Sequence, residues 1–124
     1  MGKKPVKILI IDDSEVVLEI AKETLERAGY QVAVAIDLKQ FESEIEKVKP
    51  DLLVADIKMP EIFGQDLCSL LKEHLGVTIP VILFSDMDVE ELEVLSLQSN
   101  ADGFVSKGEG MDALVAKIGT IFKS

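Results

Sequence analysis

Cysteine and histidine are almost absent from this sequence of 124 residues, which contains one of each, Cys68 and His74. A single cysteine excludes an intrachain disulfide and a cysteine-rich zinc site. Cys68 lies in an apolar helical pattern, so we expect a small buried side chain rather than a reactive thiol. His74 has no potential ligand at helical spacing, and we interpret it as a helix-end residue rather than a ligand or a base.

Positive charge is also scarce. The chain has 13 Lys and Arg residues against 23 Asp and Glu residues, and its formal net charge is −10. Direct binding to nucleic acid or to anionic lipid needs clustered Lys and Arg, so neither is predicted. No segment is long and apolar enough to span a membrane, and no secretory apolar stretch follows Lys3 and Lys4. We therefore expect a cytoplasmic domain whose partners are cations or proteins.

Hydrophobic residues are abundant, at 48% of the chain. This length and content fit a single domain over residues 1–124 with a substantial core. Apolar runs of strand length alternate along the chain with segments of helical period. The predicted strands cover 6–11, 30–35, 51–55, 80–84 and 103–106, and the predicted helices cover 15–28, 38–48, 65–75, 88–99 and 111–122.

The alternation of strands and helices predicts an α/β fold with a parallel sheet, helices on both faces and right-handed crossovers. Strands covered on both faces are almost continuously apolar, as the first, third and fourth predicted strands are. The second strand alternates in side-chain size and the fifth is short, so we place both at the edges. These features predict a flavodoxin-like (βα)5 fold with strand order 2-1-3-4-5.

Polar side chains follow four of the five predicted strands. They are Asp12, Asp13 and Ser14 after the first strand, Asp56 after the third, Ser85 and Asp86 after the fourth, and Lys107 after the fifth. In such sheets the functional crevice lies beyond the carboxyl ends of the strands, where the strand order reverses. We therefore expect three carboxylates to meet there, with a hydroxyl group and an ammonium group beside them.

Three neighbouring carboxylates predict a cation site, because like charges raise one another's pKa and need compensation. Mg²⁺ prefers carboxylate oxygens together with waters and a phosphate oxygen. An adjacent lysine and hydroxyl group would stabilise an anion, so the chemistry indicated is phosphoryl transfer onto a carboxylate. Asp56 is the predicted nucleophile because it stands alone on its strand, whereas the pair Asp12 and Asp13 can serve the metal.

Each of these residues also has an ordinary structural explanation. Asp12 and Asp13 are suitable helix caps, Asp56 could begin a turn, Ser85 could cap the next helix, and Lys107 could be a solvated surface residue. Their joint placement after four different strands favours a functional site over these separate explanations.

At these residues the chain resembles the receiver domain of two-component response regulators. The motifs that carry the resemblance are Asp12-Asp13-Ser14, the loop Asp56-Ile-Lys-Met-Pro-Glu-Ile-Phe-Gly64, Ser85 and Lys107. The loop is the most specific part, because its Asp, Met, Pro and Gly all have the spacing of the family. The resemblance covers essentially the whole chain.

The resemblance implies a role for each matching residue. Asp56 would accept a phosphoryl group from a histidine kinase or a histidine phosphotransfer protein. Asp13 would bind Mg²⁺ directly and Asp12 chiefly through water, with Asp56 and the backbone carbonyl of Lys58 as further ligands. Lys107 would pair with a phosphoryl oxygen. The only reactions implied are the domain's own aspartyl phosphorylation and dephosphorylation, so it would not be an enzyme in the usual sense.

The resemblance also implies a switch. Ser85 would swing inward to the phosphoryl group, and Phe104 matches the aromatic residue that fills the vacated space, although an ordinary edge aromatic explains Phe104 as well. The response would be a population shift at an interface with a target protein or an output domain. Apolar residues in 88–99, 103–106 and 111–122 fit either a homodimer or partner face or core packing.

Three features depart from the family pattern. Asp86 occupies a position that is usually small, where its charge would repel an incoming phosphoryl donor or recruit a cation. Lys107 is followed by Gly108 rather than by a cis proline, so we expect a looser loop and a trans peptide. Lys58 and Met87 lie where family members vary and tune dephosphorylation.

The main alternative is a pseudo-receiver, which is the same fold used as a constitutive protein-binding module without phosphorylation. Asp86 and the missing proline favour it, whereas the complete set of acidic residues and the lysine oppose it. A flavin mononucleotide site would need a Gly-rich loop after the first strand, and an aspartyl-nucleophile phosphatase would need Asp-x-Asp there. No Walker A motif is present. A stand-alone receiver and a part of a longer protein both fit the sequence.

Overall fold

The computed structural model describes residues 5–56, 79–99 and 101–122, in which strands and helices alternate as predicted. Every element in these ranges begins and ends within one residue of its predicted bounds. The predicted helix 65–75 lies outside the described residues, and helices are numbered here among the described residues only. The elements are β1 Lys7–Ile11, α1 Glu15–Arg27, β2 Gln31–Ala35, α2 Leu38–Val48, β3 Leu52–Ala55, β4 Val81–Ser85, α3 Val89–Ser99, β5 Gly103–Ser106 and α4 Met111–Ile121.

The five strands form one parallel sheet with the order β2-β1-β3-β4-β5, which confirms the predicted fold. The order reverses at β1, which lies between β2 and β3. At the carboxyl ends, Ile11 pairs with Ala35 on one side and with Ala55 on the other. Ser85 of β4 pairs with Ser106 of β5. The residues that follow β1, β3, β4 and β5 therefore emerge along one edge of the sheet.

The alternation of side chains along the central strands divides the core into two layers. Leu9 and Ile11 of β1 face the layer that contains Phe41 of α2 and Leu92 of α3. Their neighbours Ile8 and Ile10 face a second layer. This second layer includes Leu18 and Leu25 of α1 together with Leu114 and Ile118 of α4. All the residues of β3 and β4 are buried, whereas β2 and β5 are only partly buried, as expected of edge strands.

The helix that follows β1 begins at a clear capping residue. The Oγ of Ser14 accepts a hydrogen bond from the N–H of Val17, which satisfies one of the free amides at the start of α1. After α1, Gly29 has a φ of 100°, a left-handed conformation that glycine adopts without a steric penalty. Among the described residues, no helix has the combination of length and apolar character that crossing a membrane requires.

Candidate functional site

The adjacent strands β1 and β3 are each followed by a buried aspartate. Asp12 is 1% exposed and Asp56 is 5% exposed. Their backbone amides continue the sheet ladders, because the N–H of Asp12 donates to the carbonyl of Ala35 and the N–H of Asp56 donates to the carbonyl of Ile11. These hydrogen bonds hold the two backbones side by side at the edge of the sheet.

Asp13 joins these two residues from the solvent side. Its side chain is exposed, and one carboxylate oxygen each from Asp12, Asp13 and Asp56 lie within 4.8 Å of one another. In the described part of the chain, no group donates a hydrogen bond to the carboxylate of Asp13, which leaves its oxygens available to a ligand. The structure therefore brings together the three carboxylates that the sequence placed after the first and third strands.

Lys107 supplies positive charge to the same site from the end of β5. Its Nζ lies 2.7 Å from Oδ2 of Asp12 and 3.4 Å from Oδ2 of Asp56. The side chain is 21% exposed, and the ammonium group also lies 5.9 Å from the centre of the Phe84 ring. Before any ligand binds, the shorter of the two contacts of Lys107 is therefore with Asp12.

Burial and charge act on the pKa values of this pair. Burial raises the pKa of the Asp12 carboxyl group, and the nearby charge of Asp56 adds to the rise, although Lys107 and the amide of Ser14 oppose it. Burial lowers the pKa of Lys107, but the hydrogen bond to Asp12 and the charge of Asp56 raise it by more than burial lowers it. The pKa of Lys107 is therefore raised overall. Lys107 therefore stays protonated, and one ammonium group faces three carboxylates.

The three carboxylates differ in how many of their oxygens are already used. Oδ1 of Asp12 accepts from the N–H of Ser14 at 2.9 Å, and its Oδ2 accepts from Lys107. Asp13 lies at the rim with its oxygens available. The site has an excess of negative charge, because three carboxylates, two of them buried, face a single lysine. Such a set of oxygen donors fits a divalent cation.

Ser85 ends β4, which is the neighbour of the strand that precedes Asp56. Its side chain is completely buried, and its Oγ accepts from the N–H of Met87 at 3.4 Å. Asp86, the next residue, is exposed and is not one of the three grouped carboxylates. The Ser85 hydroxyl group is thus buried at the end of β4, whereas the Asp86 carboxylate faces solvent.

Phe104 lies on the edge strand β5, opposite Leu83 of β4. It is partly buried and, like Met87 and Leu95, packs against the core layer that contains Leu92. The Nζ of Lys117 in α4 lies 6.0 Å from the centre of its ring. Phe104 is therefore partly buried on the edge strand, with a lysine of α4 beside its ring.

The segment after Lys107 contains a trans peptide, as the missing proline predicted, and the described residues include no cis peptide bond. Residues Lys107–Glu109 form one 3₁₀ turn, in which the N–H of Gly110 donates to the carbonyl of Lys107 at 3.1 Å. Gly110 has a φ of 91°, which a residue with a side chain rarely adopts. This segment is more regular than the loose loop that was expected, because the hydrogen bond from the Gly110 amide closes the turn.

Some predicted features lie outside the described residues. They are the Lys58 carbonyl, the Met-Pro part of the loop after Asp56, Cys68 and His74. The capping explanations can be judged for the residues that are described. Ser14 caps α1, and Asp12 accepts a local hydrogen bond from Ser14 while also holding Lys107. Structural and site contacts are therefore combined in Asp12 rather than being alternatives.

The sequence matches the family model of the response regulator receiver domain over residues 8–119. The chain belongs to this family. The identification confirms the expected family, and the receiver domain is thus a signalling protein rather than a classical enzyme.

Curated relatives agree with this assignment. The receiver domain is 33% identical over 117 residues to the sensory transduction protein BceR of Halalkalibacterium halodurans, covering 94% of this chain and 50% of that protein. It is 34% identical over 101 residues to the alkaline phosphatase synthesis transcriptional regulatory protein PhoP of Bacillus subtilis, covering 82% of this chain and 42% of that protein. The chain spans about half the length of the curated relatives it matches.

Solved structures share the fold. The chemotaxis protein CheY4 of Vibrio cholerae superposes with a TM-score of 0.86 at 21% identity, covering 96% of this chain and all of that chain. The receiver domain of the Francisella response regulator 1452 gives a TM-score of 0.84 at 28% identity, covering 97% of this chain and 98% of that chain. These likenesses support the flavodoxin-like architecture of the receiver domain.

Two contacts near the site were not predicted from the sequence. The Oγ of Ser106 donates to the carbonyl of Met87 at 3.4 Å, and Lys117 lies over the ring of Phe104. The position of Ser106, directly before Lys107 at a strand end, was a signal that could have identified it. Lys117 has no such signal, because its contact depends on how α4 packs against β5.

Proposed function

We propose that this receiver domain accepts a phosphoryl group on Asp56 from a histidine kinase or a histidine phosphotransfer protein, in a reaction that depends on Mg²⁺. One observation carries the proposal. The carboxylate of Asp56 is buried, lies beside the ammonium group of Lys107 and belongs to a group of three carboxylates. A nucleophile, a cation and metal ligands therefore meet at one point.

The donor set fits Mg²⁺. Asp13 would ligate it directly and Asp12 chiefly through water, with Asp56 and the backbone carbonyl of Lys58 as further ligands. The use of both Asp12 oxygens by Ser14 and Lys107 supports the indirect role of Asp12. Bound Mg²⁺ supplies neutralisation of the negative charge on the phosphoryl oxygens.

The reaction exchanges one bond to phosphorus for another. A carboxylate oxygen of Asp56 forms a bond to phosphorus while the bond from phosphorus to the donor imidazole nitrogen breaks. The imidazole keeps the electron pair and takes a proton from solvent. Lys107, which is already 3.4 Å from Asp56, pairs with a phosphoryl oxygen and offsets the charge that the group brings. Attack by water on phosphorus breaks its bond to the Asp56 oxygen, restores the carboxylate and releases inorganic phosphate.

The response uses Ser85 and Phe104. Ser85 turns its hydroxyl group to a phosphoryl oxygen, and Phe104 moves into the space that becomes free, so that the phosphoryl group shifts the population of two arrangements. The shared packing of Met87 and Phe104 supports a link between the two movements.

Asp86, Lys58 and Met87 adjust access to the site and the lifetime of the phosphoryl group. The exposed carboxylate of Asp86 lies beside the buried Ser85, where it would repel an anionic donor. Asp86→Ala is expected to speed phosphorylation, and an unchanged rate would dismiss this role.

A downstream protein or an output domain binds one of the two arrangements and so responds to phosphorylation. We propose that residues 1–124 form a single receiver domain and that α3, β5 and α4 present a face for a partner or a second copy. Exposed apolar side chains on α3 support this choice, namely Val89, Val94 and Leu97. The excess of acidic residues argues against direct contact with nucleic acid. The pseudo-receiver alternative gains no support, since the site retains its acidic residues and its lysine.

Phosphorylation can be tested with acetyl phosphate and Mg²⁺, with intact mass as the readout. The wild-type protein should gain the mass of one phosphoryl group, and Asp56→Asn should not. Asp51→Asn is a matched control at the opposite end of β3, where the carboxylate accepts from the N–H of Lys7, and it should be phosphorylated normally. A chelator should abolish the gain. Equal labelling of wild type and Asp56→Asn, or no labelling of either, would contradict the proposal.

A further inference from the structure

The connection between β4 and α3 is held by hydroxyl groups from two neighbouring strands. The N–H of Met87 donates to Oγ of Ser85 at 3.4 Å, and Oγ of Ser106 donates to the carbonyl of Met87 at 3.4 Å. Ser85 and Ser106 are paired directly across β4 and β5. Two adjacent serines therefore hold one residue of the connection, one by its amide and the other by its carbonyl.

Both hydrogen bonds are long compared with the usual lengths of about 2.9 Å for N–H···O and about 2.8 Å for O–H···O. Bonds of this length restrain Met87 modestly, so they set a small barrier that a ligand engaging Ser85 can overcome. The side chain of Met87 is half-buried and packs in the same core layer as Phe104 and Leu95. Met87 and Phe104 therefore border the same core layer, through which a movement of one reaches the other.

Ser106 also has a second connection to the site. It immediately precedes Lys107, whose ammonium group reaches Asp12 and Asp56. The hydrogen bond from Ser106 to Met87 therefore joins the connection after β4 to the backbone that carries the lysine.

We propose that Ser106 is a positioning residue that holds Met87 in the arrangement in which the Ser85 hydroxyl group accepts from Met87 and is turned away from the phosphoryl group. This inference rests on the proposed function of Asp56 and Ser85. When Ser85 turns to a phosphoryl oxygen, the amide of Met87 loses its acceptor and the connection must rearrange. The hydrogen bond from Ser106 opposes that rearrangement, so Ser106 sets how readily the domain responds.

The first test concerns the ligand-free protein. Ser106→Ala should speed amide hydrogen exchange at residues 86–88 by about threefold or more, because the carbonyl of Met87 is released. Ser106→Thr keeps the hydroxyl group and should restore slow exchange. Thr120→Val is a matched control, since it removes a hydroxyl group that donates to the Lys117 carbonyl on the exposed face of α4. Unchanged exchange in Ser106→Ala would overturn the proposal.

The second test measures the response. Beryllofluoride with Mg²⁺ mimics a phosphoryl group on a carboxylate, and its affinity can be followed by titration. Ser106→Ala should tighten binding by about threefold in the wild-type background and change it by less than about 1.5-fold in a Ser85→Ala background. A residue that only supports the fold would change binding by the same factor in both backgrounds.

The outcomes separate this inference from the proposed function. If beryllofluoride binds wild type and Asp56→Asn alike, the proposed function fails and the positioning role fails with it, while the exchange measurement still decides whether Ser106 restrains Met87. If binding depends on Asp56 but Ser106→Ala has equal effects with and without Ser85, the positioning role is wrong and the proposed function stands.

Discussion

Two ion pairs of this protein have almost the same length and very different surroundings. Lys107 and Asp12 are 2.7 Å apart, with side chains 21% and 1% exposed. Arg27 and Glu23 on α1 are 2.6 Å apart, with side chains 78% and 61% exposed. Distance alone would rank them equally, yet solvent screens the exposed pair and leaves the buried one strong. The depth of a pair, and the charges around it, decide what it contributes.

Removal of Lys107 should have the largest effect. Lys107→Met leaves three carboxylates without a cation, and we expect the free energy of unfolding to fall by about 2 kcal/mol, less than for a fully buried pair because the lysine is partly exposed. Urea denaturation without divalent metal measures the change. Arg27→Met is the control and should shift the value by less than about 0.5 kcal/mol. Similar losses in the two variants would show that burial does not distinguish the pairs.

Addition of Mg²⁺ should have the next largest effect. A ligand that binds only the folded state stabilises it, by about 1.4 kcal/mol at ten times its dissociation constant. Thermal or urea unfolding with and without Mg²⁺ gives the difference, and Asp13→Asn should remove most of it. Asp112→Asn changes an exposed carboxylate in the first turn of α4 and should respond like the wild type. Equal responses of the two variants would place the metal elsewhere.

The pH dependence of Asp12 should be smaller and has a definite sign. Its pKa is raised in the folded state, so the folded protein holds more protons than the unfolded chain between the unfolded value of 3.8 and the raised value. Asp12 therefore stabilises the folded protein at low pH, and this stabilisation is lost as the pH rises from 3.8 through the raised pKa. As the pH rises through this range, the free energy of unfolding of Asp12→Asn should increase relative to that of the wild type, by less than about 1 kcal/mol.

Urea unfolding of both proteins across this pH range, without metal, is the measurement. A difference that stays constant with pH, or that grows in the opposite direction, would contradict the assigned cause. Lys107 makes the stability depend on pH in a second, alkaline range. Its raised pKa stabilises the fold below the unfolded value of 10.5, and this contribution is lost as the pH rises through the folded value above it.

The exposed pair should give the smallest effect. Glu23→Gln keeps the shape of the side chain and removes its charge, and we expect a loss of about 0.3 kcal/mol that vanishes in high salt. The same salt series on Lys107→Met should leave most of its loss in place, because buried charges are screened less. If salt erased both losses, the contrast between the two pairs would have no basis.

Sequence reasoning was most successful where one local rule acted alone. The alternation of apolar runs placed the described strands and helices within one residue of their bounds. It left the role of Phe104 open, because the surroundings of this ring depend on packing from other segments, among them Lys117 of α4. It also did not identify Ser106, whose position before Lys107 was a signal, although no sequence pattern reveals the hydrogen-bond partner of such a serine.

The sequence by itself determined the order of the strands and the set of polar residues at their carboxyl ends, because strand periodicity and parallel topology follow from local residue patterns. The sequence therefore predicted Asp12, Asp13, Asp56 and Lys107 at one edge of the sheet. Only the tertiary structure decided that Lys107 lies closer to Asp12 than to Asp56 and that two serines hold Met87. Such choices depend on side-chain rotamers and on burial, which packing between distant segments sets.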